Sequence, residues 1–148
     1  MRSESELNTI IKNTIIKQGG WAYKIPDPSK DSSLCSVKRP FDGFGVWKGR
    51  PIYWESKFSR VFGSFNLQRI EEHQIQNLLA IKNICTDSLV CIVWGVHIKR
   101  GVSWVFIFDD IYMIHERRKN KKNFTKKELL SCPHYDIKKG IIENFYSI

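Results

Sequence analysis

The feature that most constrains the fold is an uninterrupted apolar run over residues 89–96, Leu-Val-Cys-Ile-Val-Trp-Gly-Val. A membrane-spanning helix needs about 20 such residues, so this run is far too short to be one. An apolar run of this length without alternation is typical of a β-strand buried on both faces. A second run of the same kind follows over residues 102–108. Two such strands need helices on both sides of their sheet, which predicts an α/β domain.

Hydrophobic periodicity and turn residues divide the rest of the chain into further elements. Ser3 and Glu6 form a capping-box pattern ahead of a helical repeat that ends at Gly19 and Gly20. The other predicted elements are, in chain order, a strand over 21–25, a loop over 26–40, a hairpin of strands 41–47 and 50–58, a helix over 66–83, the two buried strands, and a short helix after the capping box of Thr125 and Glu128. This α-β-β-β-α-β-β order predicts one domain over residues 1–148, with a central mixed sheet of about five strands flanked by helices.

The charge balance favours a polyanionic partner. The chain has 24 lysines and arginines against 15 acids, a net charge of +9, which is typical of nucleic-acid-binding proteins. Seven of the eleven residues over 117–127 are basic, within a basic C-terminal segment over 117–148. A solvated loop is the alternative interpretation of that run. The predicted DNA-binding residues are Lys38, Arg39, Lys48, Arg60, Arg69, Arg117, Arg118, Lys119, Lys121 and Lys122.

The cysteines and the first residues of the chain argue against several classes of protein. The four cysteines include no C-x-x-C pair, so neither a zinc site nor a dithiol site is predicted. The charged opening Met-Arg-Ser-Glu does not fit a signal peptide. We therefore expect a cytoplasmic protein with reduced thiols and no membrane partner.

Three phenylalanines follow the predicted hairpin at short intervals, at positions Phe58, Phe62 and Phe65. Aromatic side chains in a basic segment can stack on nucleic-acid bases. Packing in the core or at an interface is the interpretation that we favour for them.

The pattern Glu55-Ser-Lys57 carries the candidate chemistry. Residues i and i+2 of a strand point to the same side, so the Glu55 carboxylate and the Lys57 ammonium lie side by side. Asp42 lies on the preceding strand of the predicted hairpin, from which it can reach the same position. Two carboxylates beside a lysine suit Mg²⁺, with Mn²⁺ as a substitute, and such a site can hydrolyse a phosphodiester. The alternative interpretation of Glu55 and Lys57 is an ion pair on a solvent-exposed face of the sheet.

The sequence around these residues resembles a known family, the RecU-type Holliday junction resolvases. Two segments carry the similarity, Phe41-Asp-Gly-Phe-Gly-Val-Trp-Lys-Gly-Arg-Pro-Ile-Tyr-Trp-Glu-Ser-Lys57 and Phe65-Asn-Leu-Gln-Arg-Ile-Glu-Glu-His-Gln74. The family belongs to the PD-(D/E)xK nuclease superfamily, which also includes the archaeal junction resolvases. The resemblance runs from about residue 4 to residue 96 and implies a restriction-endonuclease-like core.

The resemblance also implies a set of site residues. Asp42 and Glu55 would be metal ligands, and Lys57 would orient or deprotonate the attacking water. Gln74 would hold that water or a phosphate.

In this family a glutamate of the first helix completes the catalytic and metal-binding set. The motif favours Glu4 for this role. Glu6 is the alternative, although it has a competing role as the capping-box acid.

The activity implied by the resemblance is Mg²⁺-dependent resolution of four-way DNA junctions by paired symmetric nicks, performed by a homodimer. Two departures from the family precede Asp42. Only twenty residues separate it from Trp21, which leaves room for a short stalk at most, and Arg39-Pro-Phe stands where the family has hydroxyl residues. The alternatives are a general PD-(D/E)xK nuclease of the repair or restriction type and a non-catalytic DNA-binding protein on the same fold.

Overall fold

The computed structural model describes residues 1–26 and 38–145, so most of the predicted loop over 26–40 lies outside the described residues. The strands form one mixed sheet in the order β1 to β7, in which β3 and β4 are parallel and the other neighbours antiparallel. The elements are α1 Glu4–Lys17, β1 Trp21–Lys24, β2 Gly43–Trp47, β3 Arg50–Ser59, a 3₁₀ turn Leu67–Arg69, α2 Glu72–Ile84, β4 Leu89–Lys99, β5 Val102–Phe108, α3 Ile111–Lys119, α4 Lys126–Leu130, β6 Tyr135–Lys138 and β7 Ile141–Ile142.

Strand β4 lies in the middle of the sheet and is buried on both faces, as its apolar run predicts. Val90, Ile92 and Trp94 belong to the core on the side of α2 and α3. Cys91 and Val93 belong to the core on the side of α1. The alternation of side chains along one strand therefore builds two hydrophobic layers, one on each face of the sheet.

The predicted helix over 66–83 is wrong in its first part, because the segment contains a break. Asn66 caps the 3₁₀ turn by accepting a hydrogen bond from the Gln68 amide. Ile70 is then extended and completely buried, and Glu71 becomes the N-cap of α2. The helical periodicity of the sequence continues through Ile70, so it did not show that the chain is extended there and that the helix begins only afterwards.

The sheet has seven strands rather than about five, so the predicted strand count is corrected. The two additional strands, β6 and β7, are four and two residues long, too short to show a clear alternating pattern. Helix α3 was also missed, although Asp110 caps it by accepting from the Met113 amide. The capping box of Thr125 and Glu128 does open a helix, α4, as predicted.

The three phenylalanines after the hairpin pack inside the protein, which confirms the favoured interpretation. The Phe65 ring is parallel to the Trp94 ring at 5.0 Å between centroids. The Phe62 ring stacks on Phe106 at 6.2 Å, and Phe58 is buried. In the part of the chain that the structure describes, no helix is both long and apolar enough to cross a membrane.

Candidate active site

Asp42 is held in a fixed orientation at the start of the β2–β3 hairpin. Its amide donates to the Trp54 carbonyl, and its side chain is almost completely buried. The Oδ2 atom accepts from the Ser56 amide at 2.8 Å and lies 3.0 Å from the Ser56 hydroxyl. The Oδ1 atom forms a 3.0 Å ion pair with the Arg39 guanidinium.

Glu55 and Lys57 lie side by side on one face of β3, as their spacing predicts. Lys57 Nζ is 3.4 Å from Glu55 Oε1. Glu55 is 1 % exposed and Lys57 9 % exposed, so the interpretation as a solvent-exposed ion pair is wrong. A carboxyl group and an amine buried side by side on a central strand are costly unless the groups have a further use, which makes the pair a candidate functional site.

Gln74 joins this pair because of the break that precedes α2. It is the third residue of the helix, and its Oε1 accepts from the Glu71 amide at 3.0 Å. Its Nε2 then donates to Glu55 Oε1 at 2.8 Å. The capping box therefore determines which end of the Gln74 amide faces the glutamate.

The environment of Glu55 disfavours its charge. Burial, and then the nearby Asp42 carboxylate, raise the pKa of Glu55 to about 9, while Lys57 opposes the shift. Its Oε2 atom is buried and has no hydrogen-bond partner among the described residues. An unsatisfied buried oxygen beside a second carboxylate is a position where a bound cation would relieve both the repulsion and the missing contact.

The oxygen donors fit a hard divalent cation. Asp42 and Glu55 are the residues that would hold it, and a cation at Asp42 would compete with Arg39 for Oδ1. Within residues 1–26 and 38–145, no three His, Cys, Asp or Glu side chains come together as a metal cluster. Mg²⁺ is commonly held by only one or two carboxylates and keeps several waters, so two ligands are sufficient for it.

The first helix contributes an asparagine that the sequence analysis missed. Asn8 is 2 % exposed, and its Oδ1 accepts from Trp54 Nε1 at 2.9 Å and lies 2.7 Å from the Ser56 hydroxyl. The Ser56 hydroxyl in turn contacts Asp42, so the helix supports the Asp42 carboxylate through one intermediate residue. The signal was a polar residue on the apolar side of a predicted helix, between Leu7 and Ile11.

The structure does not bring Glu4 into a cluster with Asp42 and Glu55. Glu4 lies one helical turn before Asn8, with its side chain 42 % exposed and 3.5 Å from the Arg69 guanidinium. Glu6 accepts from the Arg2 amide instead. Of the two acids, Glu4 is the one on the same face of α1 as Asn8.

Several predicted DNA-binding arginines are bound within the protein. Arg39 pairs with Asp42, and Arg69 pairs with Glu4 and donates to the Phe58 carbonyl. Arg117 and Arg118 are also paired, with Glu128 and Glu72 respectively. The remaining predicted DNA-binding residues are exposed, namely Lys38, Lys48, Arg60, Lys119, Lys121 and Lys122. The basic run over 117–127 is therefore neither a plain solvated loop nor a uniform contact surface, since its arginines are structural and its lysines face solvent.

Comparisons with known proteins find a similarity only among solved structures. No protein-family model matches the chain, and no curated protein matches it. Among solved structures, the chain is similar to a Holliday junction resolvase from Archaeoglobus fulgidus, a hyperthermophilic archaeon. The two share 10 % sequence identity with a TM-score of 0.39, over 80 % of this chain and 93 % of that one.

Proposed function

We propose that this chain is a metal-dependent DNA endonuclease whose favoured substrate is the four-way junction. The observation that carries the proposal is the buried group of Asp42, Glu55 and Lys57, in which one carboxylate oxygen lacks a partner. Burial of such a group is energetically unfavourable, and the same set of side chains can support metal-assisted hydrolysis of a phosphodiester. The net charge of +9 supports a polyanionic substrate.

Each residue of the group has a role in the proposed chemistry. Asp42 and Glu55 hold Mg²⁺ or Mn²⁺, which supplies a Lewis acid that lowers the pKa of water and shields phosphate charge. The Lys57 ammonium orients the attacking water or contacts a phosphate oxygen. Gln74 keeps Glu55 in place through the 2.8 Å hydrogen bond.

The preference for junctions and the homodimer rest on the sequence resemblance and on symmetry. A four-way junction is two-fold symmetric, and paired nicks need two active sites related by a two-fold axis. Two copies of this chain provide them.

The first experiment compares cleavage of a synthetic mobile four-way junction and of a linear duplex with the same arm sequence, each in Mg²⁺ and in EDTA. Paired symmetric nicks in the junction alone, lost in EDTA, are the expected result. Equal cutting of the duplex would instead favour a general nuclease of the repair or restriction type. Tight DNA binding without metal-dependent cutting of either substrate would favour a non-catalytic binding protein.

Replacing Lys57 by methionine is expected to reduce cleavage by about a hundredfold or more, because a positioned proton-transfer group contributes at least that much. DNA binding should be nearly unchanged, since Lys57 is buried. Lys17→Met is the matched control. Lys17 is exposed at the far end of α1, about 20 Å along the helix from Glu4. Equal activity of the two variants would remove Lys57 from the mechanism.

Exchange of Glu4 and Glu6 for glutamine, one at a time, tests which acid of α1 supports the site. We expect Glu4→Gln to lower cleavage by about 10- to 100-fold, the range for residues that position metal ligands. Glu6→Gln should cost less than about twofold, because Glu6 contacts only the first residues of the chain among those described. Cleavage rates at saturating Mg²⁺ distinguish them, and the reverse ranking would assign the role to Glu6.

A further inference from the structure

The arginines of this chain fall into two groups by the partners of their side chains. The chain has eight arginines, and five of them bond to protein groups. These five are Arg39, Arg50, Arg69, Arg117 and Arg118. No bond or ion pair involves the side chains of Arg2, Arg60 and Arg100 in the described part of the chain.

These three arginines line one continuous depression. One part of it, about 350 Å³, is lined by Arg2, Arg100, His97 and Ser103 among others. The adjoining part, about 340 Å³, is lined by Arg2 and His97 again, together with Arg60. We call these residues the arginine cleft. Each part has a volume at the small end of the range for ligand sites, about 300–1,000 Å³.

Among residues 1–26 and 38–145, no acidic residue lines the arginine cleft. Two acids are near it in sequence. Glu4 pairs with Arg69, and the Glu6 carboxylate contacts the backbone nitrogens of Met1 and Arg2 at the edge of the arginine cleft. Three guanidinium groups around one depression repel one another unless an anion lies between them. Guanidinium groups match phosphate oxygens in geometry as well as in charge.

The arginine cleft lies at the same end of the sheet as the proposed active site but on its other face. Phe58, which lines the cleft, follows Lys57 directly on β3, so its side chain points to the opposite side of the sheet. Arg60 directly follows β3, and Lys57 lies three residues earlier, no more than roughly 10 Å away along the strand. In the parallel pairing of β3 and β4, Ser59 is opposite Val96, so His97 reaches the same end of the sheet.

We infer that the arginine cleft binds a DNA backbone phosphate outside the proposed active site. The inference rests on the proposed function, because it takes the substrate to be DNA positioned at Lys57. The arginine cleft supplies affinity and register, while the buried acids supply the chemistry.

The test measures binding of the wild-type protein to a four-way junction by fluorescence anisotropy in EDTA, over a range of salt concentrations. The double variant Arg60→Gln/Arg100→Gln is expected to bind about tenfold more weakly at 0.1 M salt and to show a smaller salt slope. The control is Arg50→Gln, at the other end of β3, which should stay within twofold of the wild type. Thermal unfolding should be unchanged in the double variant, since neither arginine has a protein partner among the described residues.

A second measurement gives the position of the contact. Among junctions that each carry one neutral methylphosphonate linkage, at least one should weaken wild-type binding but not binding of the double variant, and its position gives the distance of the contact from the nick. Binding of the double variant equal to that of Arg50→Gln would overturn the inference and leave the nuclease proposal standing. Binding through the arginine cleft without cleavage in any divalent metal would overturn the proposed function alone.

Discussion

Replacing Glu55 by glutamine is expected to lower the cleavage rate by about a thousandfold or more, because a cation contributes several kcal/mol to such reactions. Glutamine has nearly the same shape, so it can keep the contact with Gln74 while losing the charge that attracts the metal. Single-turnover cleavage of the four-way junction measures the effect. Glu116→Gln, which changes an exposed acid of α3, is the control and should cut at the wild-type rate.

The same substitution should stabilise the metal-free protein above about pH 5. The pKa of Glu55 is raised from 4.5 to about 9 by burial and by Asp42. Between these values the folded protein keeps the proton and the unfolded chain releases it, so wild-type stability falls as the pH rises. The loss is at most about 1.4 kcal/mol per pH unit. Glutamine has no proton to release, so the advantage of Glu55→Gln grows with pH.

Urea unfolding of both proteins in EDTA at several pH values between 5 and 8.5 measures this difference directly. Other titrating groups contribute to both proteins and largely cancel. Addition of Mg²⁺ should stabilise the wild type, by about 2.7 kcal/mol at one hundred times its dissociation constant, and leave Glu55→Gln unchanged. A stability difference that is constant with pH would mean that Glu55 is not held in a charge-disfavouring environment.

The parts of the fold that the sequence predicted are those that depend on local patterns. The apolar run over 89–96 predicts burial of both faces of the strand without information from any other segment. The i, i+2 spacing of Glu55 and Lys57 places them on one face in any straight strand. Capping boxes at helix starts are equally local, as the α4 start at Thr125 shows.

The parts that were missed depend on contacts between distant segments. Whether an arginine faces DNA or a carboxylate of its own chain cannot be read from the residue. Arg118 pairs with Glu72, which lies 46 residues away. The role of Asn8 likewise depends on Ser56 and Trp54, which only folding brings to it. The break before α2 follows from the burial of Ile70 in a core that is built largely from distant segments, such as β4 and α3.

Gly43→Ala is the substitution for which we expect the largest loss of stability. A Cβ atom at position 43 would lie 2.1 Å from Trp54 Cζ2 and 2.5 Å from Trp54 Cη2. Trp54 is completely buried and bonded to Asn8, so its ring has no free space to move into. Overpacking of this kind, with the hydrogen bond weakened, should cost about 3 kcal/mol. That corresponds to roughly 10 °C in melting temperature for a chain of this size.

Gly63→Ala is the matched control, because its added methyl group would meet no described residue within 4 Å apart from position 63 and its two chain neighbours. Its melting temperature should stay close to that of the wild type. A double-mutant cycle with Trp54→Leu identifies the cause. Leucine lacks the ring atoms that clash, so Gly43→Ala should cost much less in that background. An equal cost in both backgrounds would mean that the backbone at position 43, rather than the tryptophan, requires glycine. Because Asn8 also contacts the Ser56 hydroxyl beside Asp42, a folded Gly43→Ala protein should bind Mg²⁺ more weakly as well.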